Sequence, residues 1–123
     1  MYNKTIKENF FNPTYAGAIQ KADAVYKYVD EKSNDIIKLY LKIDEESQEI
    51  IDAKFKAFGS PVIIACSNVA CELLIGKHIS DAKKISHVTL INVLGELPVD
   101  KIPTIKMVEK TIAETIKIYE KNN

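Results

Sequence analysis

The stretch from Asp52 to Gly76 constrains the fold most, because its hydrophobic period changes within a few residues. Asp52 to Phe58 alternates, with Ala53, Phe55 and Ala57 on one face and Lys54 and Lys56 on the other. That is the period of a half-buried strand. Gly59 follows, and glycine readily takes the positive φ of a sharp turn. Ser60 stands at an N-cap position and Pro61 at the first helical position, so a helix is predicted to about Ile75. Gly76 closes it as a C′ residue. A strand and a helix joined by so short a turn must share one core.

The rest of the chain supplies partners for both elements. Ala22 to Asp30 predicts a first strand, with Val25 and Val29 opposed to Ala24, Tyr26 and Tyr28. Ile36 to Ile43 predicts a second, with Ile37, Leu39, Leu41 and Ile43 facing one way and Lys38 and Lys42 the other. Polar turns, Asp30 to Asn34 and Asp44 to Ser47, join the three strands. Short turns imply an antiparallel meander with helices on one face. Tyr2 to Phe11 predicts an N-terminal helix, with Ile6 and Phe10 on one face, stopped by Asn12-Pro13. Ser80-Asp81 is positioned to cap a short helix, and Ser86 another that runs to Leu94 before Gly95. The last helix starts at Pro103 and carries a stripe of Ile105, Val108, Ile112, Ile116 and Tyr119. Lys106, Glu109, Lys110, Glu114 and Lys117 form its solvated face. The expectation is an α+β fold, a three-stranded antiparallel sheet packed by about five helices, in one domain spanning residues 1–123.

Composition narrows the function classes. Lys+Arg and Asp+Glu both total 17, so the net charge is zero, and no basic stripe with interleaved aromatics points to nucleic acid. No apolar run approaches the length of a membrane span and no signal peptide precedes Asn12, so a cytoplasmic protein without membrane contact is expected. No nucleophile elbow, phosphate loop or paired metal-ligand spacing is present, so no enzyme is expected. His78, in a loop, and His87, at a helix start, are read as surface residues. Cys66 and Cys71 fall within the predicted helix and point about 140° apart, too far apart for a disulfide. They are read as small, semi-buried hydrophobes.

The strand–turn–helix resembles the centre of the iron–sulfur cluster scaffold proteins, the IscU family and the N-terminal domain of NifU. Asn12-Pro13 and Gly17 stand where that family has its Asn-Pro-Arg-Asn-Val-Gly signature. Asp35 and the strand Ile36 to Ile43 match its Gly-Asp-strand segment. Leu97-Pro98-Val99-Asp100-Lys101 resembles the Leu-Pro-Pro-Val-Lys motif by which the family engages an Hsp70-type chaperone. The resemblance implies the scaffold (SufE/NifU-type) fold, an N-terminal segment lying over the sheet, and work in iron–sulfur cluster assembly. It also implies a cluster site of three cysteines and an aspartate, one cysteine receiving sulfur from a cysteine desulfurase. Those cysteine positions are Ser33, Ser60 and Thr104 here, Pro103 replaces the histidine before the third, and Asp35 alone remains. Cys66 and Cys71 fall where the family usually carries serine and threonine.

Each replacement answers a local backbone need. Ser60 is a favoured N-cap, worth about 1 kcal/mol. Thr104 is positioned to satisfy a free amide at the start of the last helix. Asn34 tolerates the left-handed conformation of the family's glycine. Asp35, the one candidate metal ligand, is read first as a side-chain–backbone bridge. One carboxylate and three hydroxyls lack the softness of thiolates, so no cofactor is expected in isolation, iron or an iron–sulfur cluster entering by resemblance alone. The reading is a scaffold-like protein, degenerate at its cluster site, acting through contacts with a desulfurase, a cysteine-bearing scaffold or a chaperone. Leu97, Pro98 and Lys101 are its candidate partner-binding residues, beside apolar surface at Phe58 and Pro61. The alternative is a small metal-ion or ligand-binding module using Asp35 and the hydroxyl-lined pocket.

Overall fold

The computed structural model describes residues 2–123. Strands β1 (Ala24–Val29), β2 (Ile36–Ile43) and β3 (Ile50–Phe58) form one antiparallel sheet in the order β1-β2-β3. Five helices accompany it: α1 (Lys4–Phe11), α2 (Pro61–Leu74), α3 (Ile79–Ala82), α4 (His87–Leu94) and α5 (Ile102–Lys121). A single 3-10 turn, Val99–Lys101, leads into α5. The expected α+β meander is the observed one.

Register explains why one face is closed. Tyr26, Leu39 and Phe55 lie opposite one another, as do Ala24, Leu41 and Ala53, and Tyr28, Ile37 and Ala57. These rows meet α2 and α5, and Leu39, Leu41, Ile37 and Phe55 are fully buried beneath them. Burying each such side chain contributes roughly 1.5–3 kcal/mol. The intervening positions mix lysines with Val25, Val29, Ile36, Tyr40 and Phe58, and the helices leave that opposite face largely open. Two strand ends differ from expectation. β3 starts earlier, at Ile50, because Ile50 bonds the chain returning from α2 through Lys77 O and Gly76 N–H. β1 starts later, at Ala24, because the Asp23 carboxylate takes the Ile43 N–H and closes the ladder.

Helix α2 is buried along most of its length, between the sheet, α1, α4 and α5, and Glu72 alone of its residues is exposed. A helix with so narrow a solvent face buries nearly all that it carries. Cys66 and Cys71 are therefore fully buried despite pointing apart, more deeply than the semi-buried placement expected. The N-terminal segment also differs from the expectation that it lies over the sheet. Helix α1, capped by Asn3, packs on α2, and Tyr15 to Gly17 runs beside the outer edge of β3 through Phe55. Asn68 fixes that path, accepting the Tyr15 N–H at 2.9 Å and donating to Asn9 Oδ1 at 2.8 Å.

Two local readings are corrected. His78, not Ser80 or Asp81, is the N-cap of α3, its Nδ1 accepting the Ser80 N–H at 3.1 Å. Glu109 is not on a solvated face: it is half-buried, accepts the His87 N–H at 2.8 Å and pairs with the His87 ring at 3.3 Å. The first free amide of α4 thus finds its acceptor on α5, which sequence spacing along one helix cannot reveal.

Candidate functional site

The β1–β2 turn, the start of α2 and the start of α5 meet at one end of the sheet. The turn is built on Asp30. Its carbonyl accepts the Asn34 N–H at 2.7 Å, and its N–H donates to Asp35 O at 2.9 Å. Asn34 takes the left-handed conformation expected of it, φ 63°. Ser33 Oγ donates to Asp30 Oδ2 at 3.0 Å and accepts the Asp35 N–H at 3.2 Å. An aspartate three residues before a serine favours such a local bridge, and that spacing was the available signal for Asp30.

Asp35 projects inward from this turn and is only 4% exposed. Two donors reach it, both at long range: the Ser60 N–H to Oδ1 at 3.2 Å and the Thr104 hydroxyl to Oδ2 at 3.5 Å. A buried carboxylate is usually held by shorter, charge-assisted bonds. Gly59 makes the approach feasible. A Cβ there would stand 2.0 Å from Asp35 Oδ1, and its φ of +141° disfavours any side chain. The glycine at the strand–helix turn therefore serves contact as well as conformation.

The backbone roles expected of the two helix hydroxyls are not observed. Ser60 has N-cap geometry, yet its side chain makes no capping bond and its Oγ is buried without a hydrogen-bond partner. Pro61 has no N–H to offer, and the Ile63 N–H goes to the Ser60 carbonyl at 3.1 Å. Thr104 is the third residue of α5, where its hydroxyl turns to Asp35 rather than to an amide. Ser33, Asp35, Ser60 and Thr104 line one cleft of about 530 Å³, which Phe58 and Lys101 border. The loop from Leu97 to Lys101 is divided by the 3-10 turn. Lys101 belongs to this cleft, while Leu97 and Pro98 line another of about 700 Å³ with Tyr2, Asn3 and Ile102. Asn3 holds that loop through the Leu94 carbonyl at 2.8 Å and the Glu96 carbonyl at 2.6 Å.

The donor set is hard and oxygen-only, one carboxylate and three hydroxyls, where iron–sulfur clusters take thiolates. Among the described residues no group of three or more His, Cys, Asp or Glu side chains could hold a metal ion. The two thiols line neither cleft, and burial pushes both well above the ordinary thiol range. No described helix is long and apolar enough to cross a membrane.

A three-stranded meander covered by helices, with a loop-built cleft where strand meets helix, defines a small α+β domain. The chain belongs to the family of the NifU-like N terminal domain, whose model matches residues 1–123. It is similar to the nitrogen fixation protein NifU of Azotobacter chroococcum, 38% identical over 101 residues. That match covers 82% of this chain and 33% of the relative, so the chain spans about a third of that protein. The iron–sulfur cluster assembly scaffold protein IscU 1 of Archaeoglobus fulgidus is 31% identical over 123 residues, covering 100% of this chain and 79% of the relative. In fold the chain resembles a protein provisionally assigned as an iron–sulfur cluster assembly scaffold of the SUF system of Fervidobacterium islandicum. The TM-score is 0.78 at 20% identity, over 94% of this chain and 96% of that one.

Proposed function

We propose that this chain is a cytoplasmic, single-domain, non-enzymatic member of the iron–sulfur assembly scaffolds that no longer holds a cluster and works through protein contacts. The observation that carries the reading is the cleft itself. The four positions that the resemblance assigns to ligands lie together, and three present hydroxyls where thiols are needed. Without a thiol at Ser60 or Thr104, neither position accepts a persulfide sulfur. A cysteine desulfurase, a cysteine-bearing scaffold and an Hsp70-type chaperone are the partner classes, reached from the cleft's border at Phe58 and Lys101 and from Leu97-Pro98. Anaerobic reconstitution with ferrous iron and sulfide tests it: a colourless, iron-free protein after desalting is expected. Retained visible absorbance with bound iron and sulfide overturns it. Absence of binding to both a desulfurase and a competent scaffold from the same cell counts against the partner half.

A second reading has its own observation. Asp35 is buried with long hydrogen bonds, and the Ser60 Oγ beside it has no partner. Under-satisfied oxygens suit a small, hard cation better than a cluster. This reading predicts that millimolar Mg²⁺ or Mn²⁺ raises the melting temperature and that Asp35→Ala abolishes the rise, because a ligand bound only by the native state stabilises it. An unchanged melting temperature ends it.

A further inference from the structure

The open face of the sheet carries a charge arrangement that the cleft does not use. Lys27 stands directly opposite Lys38, and Lys38 directly opposite Lys56, so three ammonium groups form one row across all three strands. With strands about 4.8 Å apart, the row spans roughly 10 Å. Like charges set directly opposite one another weaken a sheet. Among the described residues none of the three has a carboxylate within ion-pair distance. The carboxylates of this face, Asp23 and Asp52, stand at its far end around Lys42.

The neighbouring row, toward the cleft, is apolar. Val29 opposes Ile36, and Ile36 opposes Phe58, with Val29 50% and Phe58 72% exposed. Ile36 and Phe58 share a shallow depression of about 230 Å³ with the three lysines, and Phe58 also borders the candidate site. Lys38 lies over the Tyr40 ring at 5.3 Å, but a cationic line without carboxylate partners beside an exposed apolar line is half of a complementary interface.

We propose that this face docks an acidic segment of a partner protein, its carboxylates meeting Lys27, Lys38 and Lys56 and an apolar side chain seating on Val29, Ile36 and Phe58. The proposal rests on the reading that the chain works through protein contacts, and it names the chemistry of the contact. Nucleic acid fits the face less well. The net charge is zero, all 17 basic residues are lysines, and two of the three apolar residues are aliphatic and offer no stacking platform.

The test is a titration of the ¹⁵N-labelled protein with a short synthetic peptide of alternating glutamate and serine carrying one central phenylalanine. The same peptide without the phenylalanine and an oligothymidylate of equal charge run beside it. Amide shifts are expected at Lys27, Lys38, Lys56 and Phe58, fading with added salt. Lys27→Gln/Lys56→Gln should weaken the peptide by about tenfold, two exposed ion pairs being lost. Deleting the phenylalanine should weaken it further. The free double variant should melt no lower than the parent, because repulsion is relieved. Shifts elsewhere, no shifts, insensitivity to the double variant, a lower melting temperature, or tighter oligothymidylate binding on the same row would each overturn the proposal. The two readings fail separately. A chain that binds the peptide and also retains a cluster refutes only the degenerate site, and a colourless chain that ignores the peptide refutes only this face.

Discussion

Helix α2 begins and continues in opposite environments. At its start Ser60 opens onto a cleft and keeps a hydroxyl without a partner, whereas nearly two and about three turns further in Cys66 and Cys71 are sealed in the core. The element suited to soft metal chemistry therefore sits where no cluster can reach, and hydroxyls sit where the resemblance expects thiols. The two regions answer to different demands. In the middle of α2 the constraint is volume, which a small apolar thiol meets well. At its mouth the constraint is the Gly59–Asp35 approach, which does not depend on what Ser60 carries beyond its backbone N–H.

The largest expected effect breaks this contrast by moving thiols to the cleft. Ser33→Cys/Ser60→Cys/Thr104→Cys keeps Asp35 and the backbone and should convert a colourless protein into one that retains iron and sulfide after reconstitution. A correctly folded triple variant that stays colourless would show that the resemblance misplaces the ligand positions. Next in size is Gly59→Ala. The added carbon collides with the Asp35 carboxylate and the backbone stays strained, so a loss of about 3 kcal/mol or more is expected in urea unfolding. Adding Asp35→Ala removes the collision and leaves the strain, so the double variant should recover part of the loss. If Asp35→Ala restores nothing, conformation alone requires the glycine.

Much of this was legible in the chain because local signals agreed with one another. The period-2 run of β2, the Gly59-Ser60-Pro61 junction and the stripe on α5 each pointed to the same meander. The site was legible only as a set of positions. That Asn34 turns left-handed follows from its residue type, but that Thr104 faces Asp35 rather than an amide depends on the 3-10 turn before α5. Ser60 carried a sound capping signal, overridden because its own carbonyl took the Ile63 N–H. The depth of Cys66 and Cys71 was missed because the pattern along one helix does not show that the sheet and three other helices pack against it. The lysine row was invisible for the same reason. Each strand shows ordinary alternation, and only the register aligns Lys27, Lys38 and Lys56.

Reciprocal exchange of hydroxyl and thiol sharpens the comparison at moderate cost. Cys66→Ser places a hydroxyl in a fully buried, apolar setting and should cost about 1–3 kcal/mol in urea unfolding. Ser60→Cys should unfold as the parent does, yet its thiol, at a helix N-terminus beside an open cleft, should react with a disulfide reagent at least roughly a hundredfold faster than the native pair. Equal labelling rates would mean that α2 opens readily, and the contrast between its two ends would collapse.

The smallest expected effect compares the two unpartnered hydroxyls of α2, Ser60 and Ser67. Ser67 is 1% exposed in the core, so Ser67→Ala removes a desolvated group that bonds to nothing and should stabilise the protein by about 1 kcal/mol. Ser60→Ala deletes an equally orphaned oxygen but from the wall of a cleft, where a cation or a partner's donor can satisfy it. In metal-free buffer both variants should gain, Ser60→Ala by no more than about 0.5 kcal/mol because water reaches the cleft when the loop breathes. Added Mg²⁺ or Mn²⁺ separates them. If only the Ser60→Ala variant then falls below the parent, the hydroxyl at the mouth of α2 is a ligand. If both keep their gain, the cleft holds no metal and its chemistry lies with what docks beside it.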